Sequence, residues 1–386
     1  MNKENKTPLI RFKGFSDDWE QRKLGEVVNV CSGRDYKHLV EGNIPVYGTG
    51  GYMLSVSEAL SENEDAIGIG RKGTIDSPYV LKAPFWTVDT LFYCIPNKNN
   101  DLNFVYGLYQ KINWKSMDES TGVPSLSKTA INNVDVSTTS LSEQQKIGSY
   151  FQSLDNLITL HQCKCESLKK VKKSMLQKMF PKNGESVPEI RFAGFTDDWE
   201  QRKLGEVGTT YTGLSGKSKE DFGHGEGKFI TYMNVFSNAI SDSEMVEPIE
   251  IDTKQNEVKK GDVFFTTSSE TPEEVGMSSV LLEDCENTYL NSFCFGYRPI
   301  EKFDNRYLAF MLRSSEMRKK ITFLAQGISR YNISKNRMME IEIPIPSLSE
   351  QQKIGSYFQS LDNLITLHQR KSFFSYTIIL QKENSL

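Results

Sequence analysis

The chain has 386 residues, 38% of them hydrophobic, and a formal net charge of −4, which is ordinary for a globular protein of two or three domains. No apolar stretch reaches the roughly 18 to 20 residues of a membrane span, and MNKENKTP lacks the apolar centre of a signal peptide. We therefore expect a cytoplasmic protein. The six cysteines do not form the pattern of a disulfide framework or a zinc site, so we expect free thiols and no metal.

Two segments of the chain occur twice. IRFKGFSDDWEQRKLGEV at Ile10–Val27 returns as IRFAGFTDDWEQRKLGEV at Ile190–Val207. SLSEQQKIGSYFQSLDNLITLHQ at Ser140–Gln162 returns unchanged at Ser347–Gln369. Repeats of this length set the architecture of a chain, so we predict two copies of one structural unit.

We call the repeated segments the flanks and the stretches between them, residues 28–139 and 208–346, the middles. The two middles share almost no sequence similarity. Recombination that homogenised the flanks would produce this pattern. The functional interpretation is that the flanks present one surface to two copies of a partner, while the middles recognise two different targets. The second copy of the Ser140–Gln162 segment lies 207 residues after the first. The same offset aligns Leu126 with Ile333 and Lys128 with Lys335, which predicts that both middles end in the same turn and strand.

A glycine-rich motif follows the predicted strand Ala66–Ile69 in the first middle. Gly68–Gly73 has the three glycines of a dinucleotide site, but Pro78 follows where such a site needs a helix. We interpret the motif as a turn that presents Arg71 and Lys72 to a phosphate or a guanine edge. A plain surface hairpin is the alternative.

Each middle ends in a segment rich in hydrogen-bond donors, Ser120–Lys128 in the first and Gln326–Lys335 in the second. The Ser-Lys pair common to both suits phosphates, whereas the residues that differ suit base edges. The alternative is that each segment is only the polar start of a helix and does not bind nucleic acid. The candidate nucleic-acid-contacting residues are Arg34, Arg71, Lys72, Ser125, Lys128, Lys217, Arg330, Tyr331, Asn332 and Lys335.

Apolar residues spaced alternately by four and three residues predict a long helix after each middle. Ser142 and Gln145 form a capping box and Pro181 ends the first run, which leaves a helix of about 38 residues and about 57 Å. We predict that the two helices pair antiparallel; packing onto the globular modules is the alternative. The predicted seam consists of Ile147, Phe151, Leu154, Ile158, Leu168, Ile354, Phe358, Leu361 and Ile365.

The second seam fails after Lys371, because Ser372 and Ser375 stand where apolar residues are needed. We interpret this tail as divergent, in the manner of a helix truncated by a shifted reading frame.

An acid followed by Glu-x-Lys, at Asp252, Glu257 and Lys259, is typical of metal-dependent nucleases, but it lies in a charge-rich run. No nucleophile elbow or Walker loop is present, so we expect no catalytic site.

Both flanks, both SLSEQQKIG helix starts, Gly-Arg-Lys-Gly-Thr in the first middle and Gly-Asp-Val-Phe-Phe in the second resemble the specificity subunit of type I restriction-modification systems. The resemblance covers nearly the whole chain. It implies an α+β fold with a pseudo-two-fold repeat, in which two helices pair as an antiparallel coiled coil. The implied domains are a target recognition domain at residues 1–139, a spacer helix at 140–182, a second recognition domain at 183–346 and a second spacer helix at 347–386.

The resemblance also implies partners and a division of labour. Each recognition domain would read one half of a split double-stranded DNA site, and the helices would set the gap. The chain would bind two modification subunits, which methylate adenine, and restriction subunits, which are motor nucleases. It would need no cofactor, while its partners would use S-adenosylmethionine, ATP and magnesium. The alternatives are a divergent nuclease or methyltransferase and a bivalent protein-binding scaffold.

Overall fold

The computed structural model describes residues 8–383, with side chains described as far as residue 373. The chain divides into a first unit, Met1–Gln162 with Gln369–Leu386, and a second unit, Cys163–His368. The division falls inside both long helices, whereas the domains drawn from the sequence begin and end at the helix ends. Each unit therefore contains one part of each long helix.

The first unit combines short strands with three short helices and the start of a long helix. Its strands are β1 (Glu20–Lys23), β2 (Val28–Ser32), β3 (Glu41–Gly48), β4 (Gly51–Val56), β5 (Ala66–Gly70), β6 (Tyr79–Leu81), β7 (Trp86–Thr87), β8 (Leu91–Pro96) and β9 (Asp135–Thr138). Its helices are α1 (Leu24–Val27), α2 (Leu102–Lys111), α3 (Lys128–Asn132) and the long α4 (Leu141–Lys178), which continues into the second unit.

The second unit has the same sequence of elements with additions. Its strands are β10 (Glu200–Lys203), β11 (Gly208–Thr212), β12 (Phe222–Ile230), β13 (Val246–Ile249), β14 (Val263–Thr266), β15 (Ser268–Ser269), β16 (Ser278–Val280), β17 (Thr288–Leu290), β18 (Cys294–Pro299), β19 (Tyr331–Asn332) and β20 (Glu342–Ile345). Its helices are α5 (Leu204–Val207), α6 (Tyr232–Ser237), α7 (Asn305–Met311), α8 (Ser315–Phe323), α9 (Lys335–Met339) and the long α10 (Leu348–Glu383).

The two unlike middles fold into sheets of the same topology. The first unit has a four-stranded sheet in the order β2-β8-β5-β6 and the second has β11-β18-β14-β16. A three-stranded sheet, β4-β3-β7 in one and β13-β12-β17 in the other, accompanies each. The central strands β5 and β14 are buried along their whole length, as continuous apolar runs such as AIGIG and VFFT favour. The predicted α+β fold with an internal repeat is confirmed.

The repeated flanks build the same ion pair in both units. Arg11 Nε and Nη2 donate to the two carboxylate oxygens of Glu143 at 2.7 and 2.8 Å, and Arg191 donates to Glu350 at the same two distances. Burial raises the pKa of Glu143, but hydrogen bonds from Arg11 and Thr139 outweigh it, so the net pKa lies below its ordinary value. The flank of each unit is thereby fixed to the start of its long helix.

The start of each long helix is also fixed to the sheet domain through one amide and one glycine. Gln144 Oε1 accepts the backbone N–H of Asp101 at 3.0 Å, and the Asp101 carboxylate caps α2. A Cβ on Gly148 would lie 2.3 Å from Asp101 Oδ1, so only glycine allows this approach. The second unit repeats the arrangement at Gln351, Asp304 and Gly355.

The ends of the two long helices that belong to the second unit pack against each other. Lys172 Nζ lies 2.5 Å from Asp362 Oδ1, and the rings of Phe180 and Phe358 stack with centroids 5.9 Å apart. Because the residue number rises along α4 as it falls along α10, the two segments run antiparallel, as predicted. The seam also packs onto the globular modules: Ile147 belongs to the core of the first unit, and the core of the second unit includes Ile354, Phe358 and Leu361.

Among the described residues, no helix combines the length and the apolarity that a membrane crossing requires. Helix α10 continues through Ser372 to Glu383. The predicted divergence of the tail concerns side chains that, from residue 374 on, lie outside the described residues.

Candidate nucleic-acid interface

In the first unit, a tight turn after β5 presents two cations. A Cβ on Gly70 would lie 1.9 Å from the Thr74 carbonyl oxygen, and Gly73 has φ +90°, so both positions require glycine. The Arg71 N–H donates to the Thr90 carbonyl at 2.8 Å, and the guanidinium lies over the Phe92 ring at 5.8 Å. Arg71 and Lys72 are both exposed, as the sequence predicted for this turn.

The turn lies directly against the second predicted segment of the first unit. Lys72 forms a backbone bridge with Ser125, and the N–H of Leu126 donates to the Arg71 carbonyl at 3.0 Å. Two motifs that were identified separately in the sequence therefore form one surface. Arg34 is exposed, and its N–H donates to the Thr87 carbonyl at the end of β7 at 2.9 Å; no contact of its side chain with this surface is seen among the described residues.

The segment before Ser125 is a closed loop with an exposed apolar tip. The Glu119 N–H donates to the Ser125 carbonyl at 3.2 Å, and Val123 is exposed. Asp118 Oδ1 accepts the backbone N–H groups of Ser125 and Ser120, and these bonds lower the pKa of the Asp118 carboxyl. The loop is thus held by its own backbone and by the Asp118 carboxylate, which leaves Val123 exposed at its tip.

The second unit repeats these backbone contacts with different side chains. The N–H of Ile333 donates to the Thr267 carbonyl at 3.0 Å, as Leu126 does to Arg71 in the first unit. Strand β15 pairs with β19 through Ser268 and Asn332, at the place where Lys72 meets Ser125. The N–H of Gln326 donates to the Asn332 carbonyl at 3.0 Å and so closes the loop.

The two surfaces place their positive charge differently. The turn carries Arg71 and Lys72 in the first unit, whereas the same two positions of the second unit are Thr267 and Ser268. Along the loop the offset of 207 residues holds throughout, and the exposed tip of the second loop carries a cation where the first carries an apolar residue. The aligned pairs are Val123 with Arg330, Pro124 with Tyr331, and Ser125 with Asn332.

The remaining predicted cations lie in two different settings. Lys128 is exposed at the first position of α3, and its counterpart Lys335 is half-buried at the first position of α9, directly after the loops. Lys217 is not available in this way, because its ammonium lies 2.8 Å from Asp252 Oδ2 and its side chain is only 14% exposed. Hydrogen bonding, led by Lys217, lowers the pKa of Asp252 to about 2.

Sequence reasoning missed two residues of the second surface. Thr267 stands on the turn beside the buried Ser268, and Phe293, which is 57% exposed, supplies the carbonyl that accepts the Thr267 N–H. Neither belongs to a motif. Extending the 207-residue alignment back to Gln326 would have identified the second loop from the sequence. The turn at Thr267 lies outside the region that this alignment covers.

The family model described as "Type I restriction modification DNA specificity domain" matches the chain twice, at residues 16–170 and 196–372. The chain is 25% identical over 393 residues to the type I restriction enzyme MjaVIII specificity subunit of Methanocaldococcus jannaschii, covering 92% of this chain and 88% of that protein. It is also 25% identical to the putative type I restriction enzyme MjaX specificity subunit of the same organism, covering 72% of this chain and 65% of the relative.

Solved structures share the fold at low sequence identity. The crystal structure of the type I restriction-modification system S subunit from M. genitalium superimposes with a TM-score of 0.66 and 14% identity, over 98% of both chains. The two family matches, one on each unit's sheets, agree with the two equivalent surfaces described above. The chain therefore belongs to the family of type I restriction-modification DNA specificity subunits.

Proposed function

We propose that each unit of this specificity subunit reads one half of a split, asymmetric double-stranded DNA site through its turn and loop. The observation that carries the proposal is the equivalence of the two surfaces. The same backbone hydrogen bonds hold Arg71 against Leu126 and Thr267 against Ile333, while the exposed side chains differ. A shared frame with different donors is what two readers of different sequences need, because base edges are distinguished by side-chain hydrogen bonds.

Within each surface the roles divide by position. Lys128 and Lys335 stand at equivalent positions, so they neutralise phosphates in both halves without reading sequence. The loop residues that differ carry the discrimination: Arg330 and Asn332 pair with base edges in the second half-site, with Tyr331 beside them. In the first half-site Arg71, Lys72 and Ser125 take this part, and the exposed Arg34 is a further candidate contact.

The long helices set the unread gap between the half-sites. Helix α4 has 38 residues, about 57 Å at about 1.5 Å per residue, which is of the order of one and a half turns of DNA. The antiparallel packing of Lys172 with Asp362 and of Phe180 with Phe358 supports a fixed helix register.

The repeated flanks dock two copies of the modification subunit. Identical exposed leucines, Leu157 and Leu160 on α4 and Leu364 and Leu367 on α10, support this assignment, because exposed apolar side chains at repeated positions are typical of interaction surfaces. The chain itself contributes no chemistry and needs no cofactor. The modification subunits methylate adenine with S-adenosylmethionine, and restriction subunits that use ATP and magnesium join the assembly.

The test is a genome-wide map of methylated adenines in cells that carry the modification subunit, with and without this chain. We expect a split motif with a fixed gap that appears only when the chain is present. Absence of any chain-dependent motif, although the chain co-purifies with the modification subunit, would contradict DNA reading. Affinity for DNA should fall steeply as salt rises; affinity independent of salt would indicate a protein-binding scaffold instead. Cleavage or methylation of DNA by the purified chain alone would indicate an enzyme.

A further inference from the structure

Two opposite charges follow the short strand pair on the surface of the second unit. Strand β15 pairs antiparallel with β19, and Ser269 lies opposite Tyr331. Continued by one residue, this register sets Glu270 opposite Arg330. Tyr331 packs against the core of the second unit, and side chains alternate between the two faces of a strand, so Arg330 points away from that core. Opposite residues of an antiparallel pair share a face, and both Glu270 and Arg330 are exposed.

Neither of these charges is engaged within the chain. Among the residues that the structure describes, neither the Glu270 carboxylate nor the Arg330 guanidinium takes part in a hydrogen bond or an ion pair. An exposed carboxylate on a surface that meets DNA repels the phosphates. Glu270 therefore opposes binding unless a hydrogen-bond donor of the nucleic acid meets it.

The loop that carries Arg330 is held closed by its backbone. Gln326 and Asn332 exchange backbone hydrogen bonds at 3.0 and 2.8 Å. Gly327 has φ +150°, and a Cβ on it would lie 2.0 Å from the Arg330 carbonyl oxygen, so this close approach requires glycine. The position of Arg330 is thus fixed by the closure of the loop.

The segment that carries Glu270 is held on both sides of this residue. Before it, Tyr232 Oη donates to the Ser268 carbonyl at 2.8 Å. After it, the half-buried Arg318 donates from Nη2 to the Val275 carbonyl at 2.6 Å. Both charges therefore stand on fixed backbone, which precise recognition of a ligand requires.

The first unit carries methyl groups at the same place. The N–H of Gly73 donates to the Pro124 carbonyl at 2.9 Å, where the second unit has the last pair of its strands. The next residues are Thr74 and Val123, and both are exposed. A common backbone frame therefore presents two neutral side chains in one unit and an acid with an arginine in the other.

An acid beside an arginine suits one kind of base pair. In the major groove, a carboxylate accepts the N4 amino group of cytosine, and an arginine donates to both O6 and N7 of guanine. A G·C pair offers that donor and those two acceptors side by side. An A·T pair offers the N6 donor of adenine, but its acceptors, adenine N7 and thymine O4, lie on different bases.

We propose that Glu270 and Arg330 together read one G·C base pair of the second half-site, an inference that rests on the proposed function of the second unit. Arg330 donates to O6 and N7 of the guanine, and Glu270 accepts the amino group of the paired cytosine. Glu270 thereby joins the residues that discriminate between sequences. The first unit lacks this readout because Thr74 and Val123 carry no charge.

The experiment uses the full chain in complex with its modification subunits, and duplex probes that carry the methylated motif. Each base pair of the probe is replaced in turn, and the affinity is measured by fluorescence anisotropy. In the wild type, replacement of one G·C pair in the second half-site should weaken binding about 10-fold or more. Glu270→Ala and Arg330→Ala should each reduce this penalty to about 3-fold or less at that same position.

Two further variants serve as controls. Glu247→Ala removes an exposed carboxylate from β13 and should leave all the penalties unchanged. The double variant Glu270→Ala with Arg330→Ala should lose little more discrimination than either single variant, because both side chains read one base pair. Penalties in the first half-site should stay the same in every variant, which also shows that the complex is intact.

Three outcomes would overturn the proposal and leave the two-reader function intact. One is a Glu270→Ala variant that keeps every penalty, whether or not it binds all probes more tightly, since the carboxylate would then read no base. Another is an effect of the two single variants at different base pairs. The third is an A·T pair at the position where both act. A wild-type complex with no position-dependent penalty in either half-site would contradict the proposed function itself, and this inference with it.

Discussion

The two units reach one architecture from middles that share almost no sequence, yet they distribute charge and packing differently. The first unit carries its cations on the turn, at Arg71 and Lys72, and an apolar tip on the loop. The second carries the uncharged Thr267 on the turn, beside the buried Ser268, and Arg330 on the loop tip. Nearly identical flanks thus hold a common backbone, and the exposed side chains differ where the backbone already satisfies its own hydrogen bonds. Recognition can change at these positions without a change of fold.

The sharpest comparison uses two phenylalanines in identical sequence. Phe358→Ala should lower the free energy of unfolding by about 3–5 kcal/mol, because the ring is fully buried against Phe180 and Phe310. Phe151→Ala should cost less than half as much, since that ring is only half-buried. Chemical denaturation of the two variants measures both. Equal losses would contradict the difference in packing between the units.

Arg330→Ala tests the separation of the two readers. The variant should lose roughly 10-fold or more in discrimination at one position of the second half-site, because the proposed bidentate contact to a base would be removed. Discrimination in the first half-site should not change. Binding to DNA probes with single substitutions measures both half-sites in one experiment, and Arg71→Ala is the matched variant of the first unit. A loss shared by both half-sites would break the two-reader account.

Lys128→Ala and Lys335→Ala test the residues that both units share. Each should weaken binding about equally for all sequences and reduce the slope of log affinity against log salt by about 1, because one proposed phosphate contact would be lost. Affinities measured at several salt concentrations give this slope. A change of sequence preference in either variant would assign these lysines to base reading instead.

The smallest effect concerns Lys217, whose position in the second unit is structural. The pKa of Asp252 is lowered from 3.8 to about 2, first by the hydrogen bond from Lys217. Because the carboxyl pKa is depressed in the folded protein, the ion pair stabilises the fold at pH values above the ordinary carboxyl pKa. This stability is lost as the pH falls from about 4 towards about 2. The difference in melting temperature between wild type and Asp252→Asn should narrow over that interval. A difference that does not vary with pH would contradict the ion pair.

Sequence reasoning captured what repeats and periodicity encode. It predicted the long helices, the paired flanks, the α+β fold, and the glycine turn that presents Arg71. It did not predict that this turn meets Ser125, because such contacts depend on how strands order in the sheet. Thr267 and Phe293 were missed since neither carries charge or a motif. Lys217 was placed among the nucleic-acid-contacting candidates because its partner Asp252 is distant in the chain.

The most direct test of the two-reader account is an exchange of the loops. Residues 326–332 would be replaced by the sequence of residues 119–125, which has the same length and the same closing hydrogen bond. Methylated adenines would then be mapped in cells that carry the variant and the modification subunit. The account predicts that one half of the methylated motif changes while the other half and the gap between them stay as they are. A change in both halves, or an unchanged motif, would contradict it.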